Sequence, residues 1–194
     1  MPSELASQQP LLIAIVTVLA AVVAVAWFAR ERRGLLPGEQ AVRLWVHYHP
    51  PRPRLWRALI AYVSLGRPRT ACLTVTGLAL TATLVAGWRA GLLSVAAAAV
   101  VAPARALKAR ARHQTIPSGH VAYAVSLFGM AACVMLEQGL AVPAAALGVI
   151  GVAMGPARIL DGGHLLADVA AGYAIGLAWL LTLLLVGFPW ALPA

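Results

Sequence analysis

The stretch Pro117-Ser118-Gly119-His120 is a short polar segment between two long apolar segments of the chain. A second polar cluster, Arg158 with His164 and Asp168, falls between two later apolar segments. Apolar segments of this length predict helices that cross a lipid bilayer. Ionisable residues within or beside such helices are costly, and they usually serve a function. The two clusters therefore predict one polar site at a membrane surface, built from residues far apart in sequence.

The composition of the 194-residue chain is that of a membrane protein. Hydrophobic residues make up 61% of it and charged residues 11%, whereas soluble domains carry about 25% charged residues. The apolar segments are rich in Ala, Leu and Val without the alternation of a barrel strand, which favours helices. We therefore predict an all-α membrane protein that forms a single domain over residues 1–194.

The apolar segments predict six transmembrane helices, with an interfacial amphipathic helix between the first and the second. This extra helix is expected between Gly34 and Arg69, where apolar residues recur at helical spacing beside arginines. An ordered loop packed on the spans is the alternative for this segment. Pro103 is expected to kink the third span. The spans are predicted at about residues 11–29, 70–87, 91–107, 118–136, 140–157 and 164–186.

The order of the spans places both polar clusters on one side of the membrane. A chain that crosses six times changes sides at every crossing. The end of span three, the start of four, the end of five and the start of six therefore share one face, and both clusters lie there. Of the 15 Lys and Arg residues, all but Arg89 lie on this face. The positive-inside rule then puts the clusters on the cytoplasmic side.

The net charge of +9 and the placement of the basic residues indicate a phosphate ligand. Basic residues beside apolar segments suit lipid headgroups or a phosphate substrate, and we predict no nucleic-acid partner. Ser118 is a good N-cap for span four, and Gly119 lets a ligand approach the backbone. A helix N-terminus attracts anions when side-chain cations assist it. The available cations are Lys108, Arg110, Arg112 and Arg158.

His164 and Asp168 are four residues apart, so that they would share a helical face at the head of span six. A carboxylate bonded to one imidazole nitrogen makes the other nitrogen a better nucleophile. A salt-bridged helix end is the alternative, but a buried Asp in a membrane helix is usually functional. The cysteines, Cys72 and Cys133, lie in apolar segments and predict neither a disulfide nor a metal site.

Pro-Ser-Gly-His followed by Arg-x5-His-x3-Asp resembles the type 2 phosphatidic-acid phosphatase superfamily. This superfamily includes membrane lipid phosphatases, glucose-6-phosphatase and vanadium haloperoxidases. Its first motif is Lys-x6-Arg-Pro, and here Arg112 is followed by His113 instead of proline. Either Lys108 or Arg105 takes the place of the family lysine, and Lys108 is favoured because its spacing of four from Arg112 puts both on one helix face. Ala157 stands where the family has Ser.

The resemblance implies a role for each matched residue. His164 would be the nucleophile and form a phosphohistidine, and Asp168 would orient it. His120 would protonate the leaving alcohol and then activate water. The resemblance implies no metal and no other cofactor. The phosphate oxygens would be held by Lys108, Arg112, Ser118, Gly119 and Arg158.

The substrate class implied by the resemblance is a phosphorylated membrane lipid. Phosphatidic acid, phosphatidylglycerophosphate and polyprenyl phosphates or diphosphates are the candidates. A lipid phosphotransferase and a non-catalytic lipid-binding or transport relative are the alternatives. We expect a multi-pass protein of the plasma (inner) membrane. Well-known bacterial members of the family face outward, in conflict with the charge asymmetry, and the sequence leaves the oligomeric state open.

Overall fold

The computed structural model describes residues 13, 15–17, 19–24, 27, 38–49, 53–110 and 116–187, and most of them are helical. No strand occurs within these ranges, and the predicted all-α class is confirmed. A short 3-10 turn, Ser64–Gly66, joins α3 to α4. The helices are α1 (Ile15–Ala24), α2 (Glu39–Tyr48), α3 (Pro53–Val63), α4 (Pro68–Ala86), α5 (Trp88–Ala98), α6 (Val101–Arg110), α7 (Gly119–Glu137), α8 (Ala141–Leu160) and α9 (Leu166–Val186).

Five helical segments of the described chain are long and apolar enough to cross a bilayer, and they correspond to the second to sixth predicted spans. They are Pro68–Ala86, Trp88–Arg110, Gly119–Glu137, Ala141–Leu160 and Leu166–Leu185. Much of the first predicted span, 11–29, lies outside the described residues. Within it, α1 is an apolar helix, and Trp27 packs against Ile116 and Ala171.

The third predicted span consists of two helices, because α5 and α6 are separated by a turn at residues 99–100. Pro103 has no N–H and cannot donate to the Ala99 carbonyl, which lies four residues earlier. The Ala102 N–H donates to this carbonyl instead, at 2.9 Å. The sequence predicted a kink at Pro103, and the break lies one helical turn before it.

Helix α7 lies at the centre of the bundle and packs against α4, α5, α6, α8 and α9. Residues 121–128 of α7 are all buried, as expected for a helix that is apolar on every side. Helix α9 approaches α7 closely at Gly172, where a Cβ would lie 2.7 Å from the Ser118 carbonyl oxygen. The missing side chain brings the head of α9 against Pro-Ser-Gly-His at the head of α7.

The segment between the first two predicted spans forms two short helices, α2 and α3, instead of one. Helix α3 packs against α8, and its Tyr62 and Val63 belong to the same apolar cluster as Val121 and Met154. Burial, followed by the charge of Tyr173, raises the pKa of Tyr62 to about 12. The inner face of α3 is therefore part of the protein core.

Helix α2 is connected to α9 by a buried carboxylate. Glu39 is 1% exposed, and its Oε1 accepts the Ala167 N–H at 2.9 Å, 128 residues away. This bond satisfies one of the first N–H groups of α9, which have no partner within their own helix. On the opposite face of α2, Trp45 and Tyr48 are exposed.

Candidate active site

Pro-Ser-Gly-His forms the turn that leads into α7. The Ser118 N–H donates to the Asp168 carbonyl oxygen at 2.9 Å, which joins the heads of α7 and α9. Ser118 occupies the N-cap position, as predicted, but its hydroxyl does not bond to the helix. The Ser118 Oγ is buried and makes no hydrogen bond. A buried hydroxyl without a partner is costly in a structural role, but it can bond to an anion at the helix terminus.

Arg158, in the last turn of α8, divides its guanidinium between two partners. Its Nη1 donates to Asp161 Oδ2 at 2.5 Å, while Nη2 and Nε lie 2.8 and 3.2 Å from His164 Nδ1. An arginine N–H can only donate, so His164 Nδ1 is the acceptor and the neutral ring carries its hydrogen on Nε2. The Nε2 atom is buried and has no hydrogen-bond partner.

His164 precedes α9, although the sequence predicted it at the start of the span. The helix begins at Leu166, after an extended Leu165, so the prediction that His164 and Asp168 share a helical face is wrong. The His164 N–H instead donates to the Arg158 carbonyl oxygen at 3.2 Å. The Asp168 carboxylate accepts the Leu165 N–H at 3.0 Å. Asp168 thus holds the backbone beside His164, and Arg158 contacts the imidazole.

The surroundings of His164 keep its imidazole neutral. Burial first, and then the charges of Arg158, Lys108 and His120, lower the pKa of His164 from 6.5 to about 3. Charges act in this way only when they lie near the group that they affect. Helices α6, α7 and α8 therefore bring their basic residues to one end of the bundle, around a histidine that retains an unprotonated ring nitrogen.

Each of the two histidines lines a cavity. The His120 cavity, of about 230 Å³, is lined by apolar residues on one part and by basic residues on another, and the His164 cavity, of about 200 Å³, lies beside α2. The His120 cavity is lined by Gly66, Pro68, Ala71, Val101, Ala104, Arg105, Lys108, Pro117, Gly119, His120 and Tyr123. The His164 cavity is lined by Glu39, Val42, Arg43, Val46, Ile159, Gly162, Gly163, His164, Leu165, Leu166 and Asp168.

Most of the predicted site residues lie at this end of the bundle. Lys108 and Arg105 both line the His120 cavity, and Lys108 is also close enough to His164 to lower its pKa. Gly119 begins α7 beside His120. Arg112 lies outside the described residues.

Three residues that contact the site were not predicted from the sequence. Asp161 could have been found, because its spacing of three from Arg158 is that of a helical ion pair. Glu39 could not, because its partner at the head of α9 is 128 residues away. Gly66, which touches the His120 imidazole, lies in the segment for which a loop was the alternative.

The sequence profile of the PAP2 superfamily matches residues 11–191. The chain therefore belongs to the PAP2 superfamily, whose members include membrane phosphatases, as its motifs indicated. Five helical segments of the described residues can cross a bilayer, so it is a multi-pass membrane protein.

The fold of this chain is similar to that of a solved structure. It is the crystal structure of the first transmembrane PAP2 type phosphatidylglycerolphosphate phosphatase from Bacillus subtilis, with a TM-score of 0.68 and 18% sequence identity. The match covers 91% of this chain and 94% of that one. At this low sequence identity it shows that the two proteins share a fold, and nothing more. No curated protein sequence matches the chain significantly.

Proposed function

We propose that the protein hydrolyses a phosphomonoester or diphosphate of a membrane lipid through a phosphohistidine formed on His164. PAP2 membership supports a phosphatase in general terms. The observation that carries the finer proposal is the position of His164, whose buried, unpartnered Nε2 lies among basic groups from three helices. A phosphoryl group has the negative charge that these groups complement.

The first step is attack by His164 Nε2 on phosphorus. In the structure Arg158 donates to Nδ1, which leaves the ring hydrogen on Nε2. Attack requires the opposite tautomer, so Arg158 must leave Nδ1. We propose that phosphoryl oxygens draw Arg158 away when substrate binds. The ring then exchanges its Nε2 hydrogen for one on Nδ1 through solvent. Asp168, which already bonds to the backbone beside His164, accepts a hydrogen bond from this Nδ1–H and orients the ring.

His120 completes the reaction as general acid and then general base. As the N–P bond forms and the bond from phosphorus to the alcohol oxygen breaks, His120 gives its proton to that oxygen. A water molecule then attacks the phosphohistidine and passes a proton to His120, and the N–P bond breaks to release phosphate. A positioned acid–base group of this kind typically contributes about 10²–10⁴-fold to the rate.

The phosphate group is held by backbone and side-chain donors around the head of α7. Supporting observations are the unpartnered Ser118 hydroxyl, the helix N-terminus at Gly119, and Arg158 beside His164. We assign the lysine of the first motif to Lys108. This residue lines the His120 cavity, and its charge contributes to the lowered pKa of His164. Arg112 is assigned to the same phosphate by its motif alone.

The membrane arrangement that we propose has six spans, with α2 and α3 at the interface. Trp27 packs against Ile116, which brings the end of the first apolar segment to the same end of the bundle as the site. Exposed Trp45 and Tyr48 on α2 suit the headgroup region, where aromatic side chains concentrate. The apolar part of the His120 cavity lining, which includes Ala71, Val101 and Ala104, suits a lipid chain. The plasma membrane is the membrane that we propose.

The test is phosphate release by the purified protein from a panel of phosphatidic acid, phosphatidylglycerophosphate and polyprenyl phosphates and diphosphates. We expect turnover of at least one member, without added metal and in the presence of a chelator. His164→Ala should abolish it and should leave no acid-labile, base-stable phosphoenzyme. The matched control is His47→Ala, because His47 is exposed on α2. Near-normal turnover by His164→Ala contradicts the proposal.

Transfer to another acceptor is the second candidate, because a phosphohistidine can react with an alcohol as well as with water. Product analysis with candidate lipid or sugar acceptors separates the two outcomes. A non-catalytic relative would bind vanadate at the site and turn over none of the panel.

A further inference from the structure

The turn Ser64–Gly66 touches the catalytic end of the bundle at one point. A Cβ on Gly66 would lie 2.1 Å from Cδ2 and 2.9 Å from both Cγ and Nε2 of His120. Non-bonded carbon atoms normally approach to about 3.5–4.0 Å. The His120 imidazole therefore lies against the bare Cα of Gly66, in space that any side chain would occupy.

The close approach, and not the backbone conformation, calls for glycine at this position. The described glycines with positive φ are Gly38, Gly87, Gly139 and Gly162, and Gly66 is not one of them. An alanine at position 66 could therefore keep the backbone as it is. Its conflict would be with the imidazole of His120.

The turn is fixed in place, so it cannot retreat from His120. The Arg67 N–H donates to the Ser64 carbonyl oxygen at 2.9 Å, and the Thr70 hydroxyl donates to the same oxygen. Immediately before the turn, Val63 is 8% exposed and packs in one apolar cluster with Val121, the residue after His120. An added methyl group would therefore move the imidazole and leave the turn where it is.

We propose that Gly66 is a positioning residue for His120, holding the imidazole in the orientation from which it protonates the leaving alcohol. This inference rests on the acid–base role proposed for His120. Gly66 lies in the wall of the His120 cavity, and a side chain there would push the ring away from its present position. The segment before α4 thus contributes to catalysis although it supplies no reacting group.

The kinetic test uses Gly66→Ala with two substrates, the best lipid phosphate of the panel and p-nitrophenyl phosphate. The alcohol of the lipid needs a proton as it leaves, whereas p-nitrophenolate does not. The parameter to measure is kcat/KM. It reports the steps up to the loss of the alcohol and does not depend on the later hydrolysis of the phosphohistidine. We expect kcat/KM to fall on the order of tenfold or more for the lipid, and much less for p-nitrophenyl phosphate. Gly77→Ala is the control, because a Cβ at Gly77 meets nothing within 4 Å.

A double variant makes the kinetic result decisive. In a His120→Ala background, Gly66→Ala should cost no more activity, since the group that it displaces is gone. An additional loss there, or an equal loss with both substrates, overturns the proposal while leaving phosphatase activity intact.

The contact itself is tested by NMR, independently of turnover. A nuclear Overhauser effect is expected between the His120 Cδ2 hydrogen and the Gly66 Hα hydrogens. Gly66→Ala should shift the His120 ring resonances and leave those of His47 unchanged. Absence of the effect overturns the inference even in an active enzyme. Failure of the wild-type protein to hydrolyse any substrate overturns the proposed function separately.

Discussion

At the scale of single residues, the site depends on how Arg158 divides its donors. One side of the guanidinium contacts Asp161 and the other contacts His164. Arginine is suited to this because its planar fork presents several N–H groups in a fixed geometry. In the proposed mechanism Nε and Nη2 of Arg158 leave His164 and bind the phosphate. Nη1 stays bonded to Asp161, which anchors the guanidinium.

Replacing the anchor should weaken phosphate binding without unfolding the protein. In Asp161→Asn the ion pair of 2.5 Å is lost, and Arg158 is less well oriented. We expect kcat/KM to fall about tenfold, in line with one charge-assisted hydrogen bond, and the inhibition constant of vanadate to rise similarly. Glu137→Gln is the matched control, because Glu137 is exposed at the far end of α7. Unchanged vanadate inhibition in Asp161→Asn contradicts the anchoring role.

The lowered pKa of His164 predicts how stability depends on pH. Between pH 6.5 and about 3 the unfolded chain protonates this histidine and the folded chain does not. The unfolded state then binds more protons, so stability falls as pH drops through this window. Thermal unfolding in detergent at pH 7.5 and pH 5 should show a smaller loss for His164→Asn than for the wild type. Equal losses would mean that the pKa is not lowered.

At the scale of elements, helix α8 contains a proline whose effect is compensated by its neighbour α9. Pro156 lies inside α8 and has no N–H for the Val152 carbonyl, four residues earlier. The Tyr173 hydroxyl, from α9, donates to that carbonyl instead. The bond satisfies a backbone acceptor that apolar surroundings could not satisfy.

Loss of this hydroxyl should destabilise the pair of helices. Tyr173→Phe leaves the carbonyl without a donor, at a cost of about 1–3 kcal/mol. In a Pro156→Ala background, the new alanine supplies the missing N–H and the same substitution should cost less. Unfolding of the four variants in one detergent gives the coupling between the two positions. Equal costs in both backgrounds would show that the tyrosine does not compensate for the proline.

At the scale of the whole molecule, the distribution of basic residues predicts which side of the membrane carries the site. Exposed positions near the two ends of the bundle are Gln40, on α2, and Gln138, after α7. In a background with Cys72→Ser and Cys133→Ser, an impermeant thiol reagent should label Gln138→Cys in intact cells and leave Gln40→Cys unlabelled. The reverse pattern would place the site outside the cytoplasm.

The sequence alone determined the helical membrane class, the positions of five spans and the superfamily. These follow from local properties: a bilayer demands long apolar helices, and each family motif lies within a short stretch of the chain. The alternation of sides at each crossing also brought the motifs to one end of the bundle, where Ser118 bonds to Asp168.

Only the tertiary structure decided which groups touch. It alone gave the start of α9 after His164, the bond between Arg158 and His164, the cap from Glu39 on α9 and the contact between Gly66 and His120. None of these has a local signal strong enough to predict it. The reason is physical: periodicity defines the face of a helix, but contacts between distant segments depend on how closely the helices approach. That approach is set by small residues and by the packing of the whole bundle.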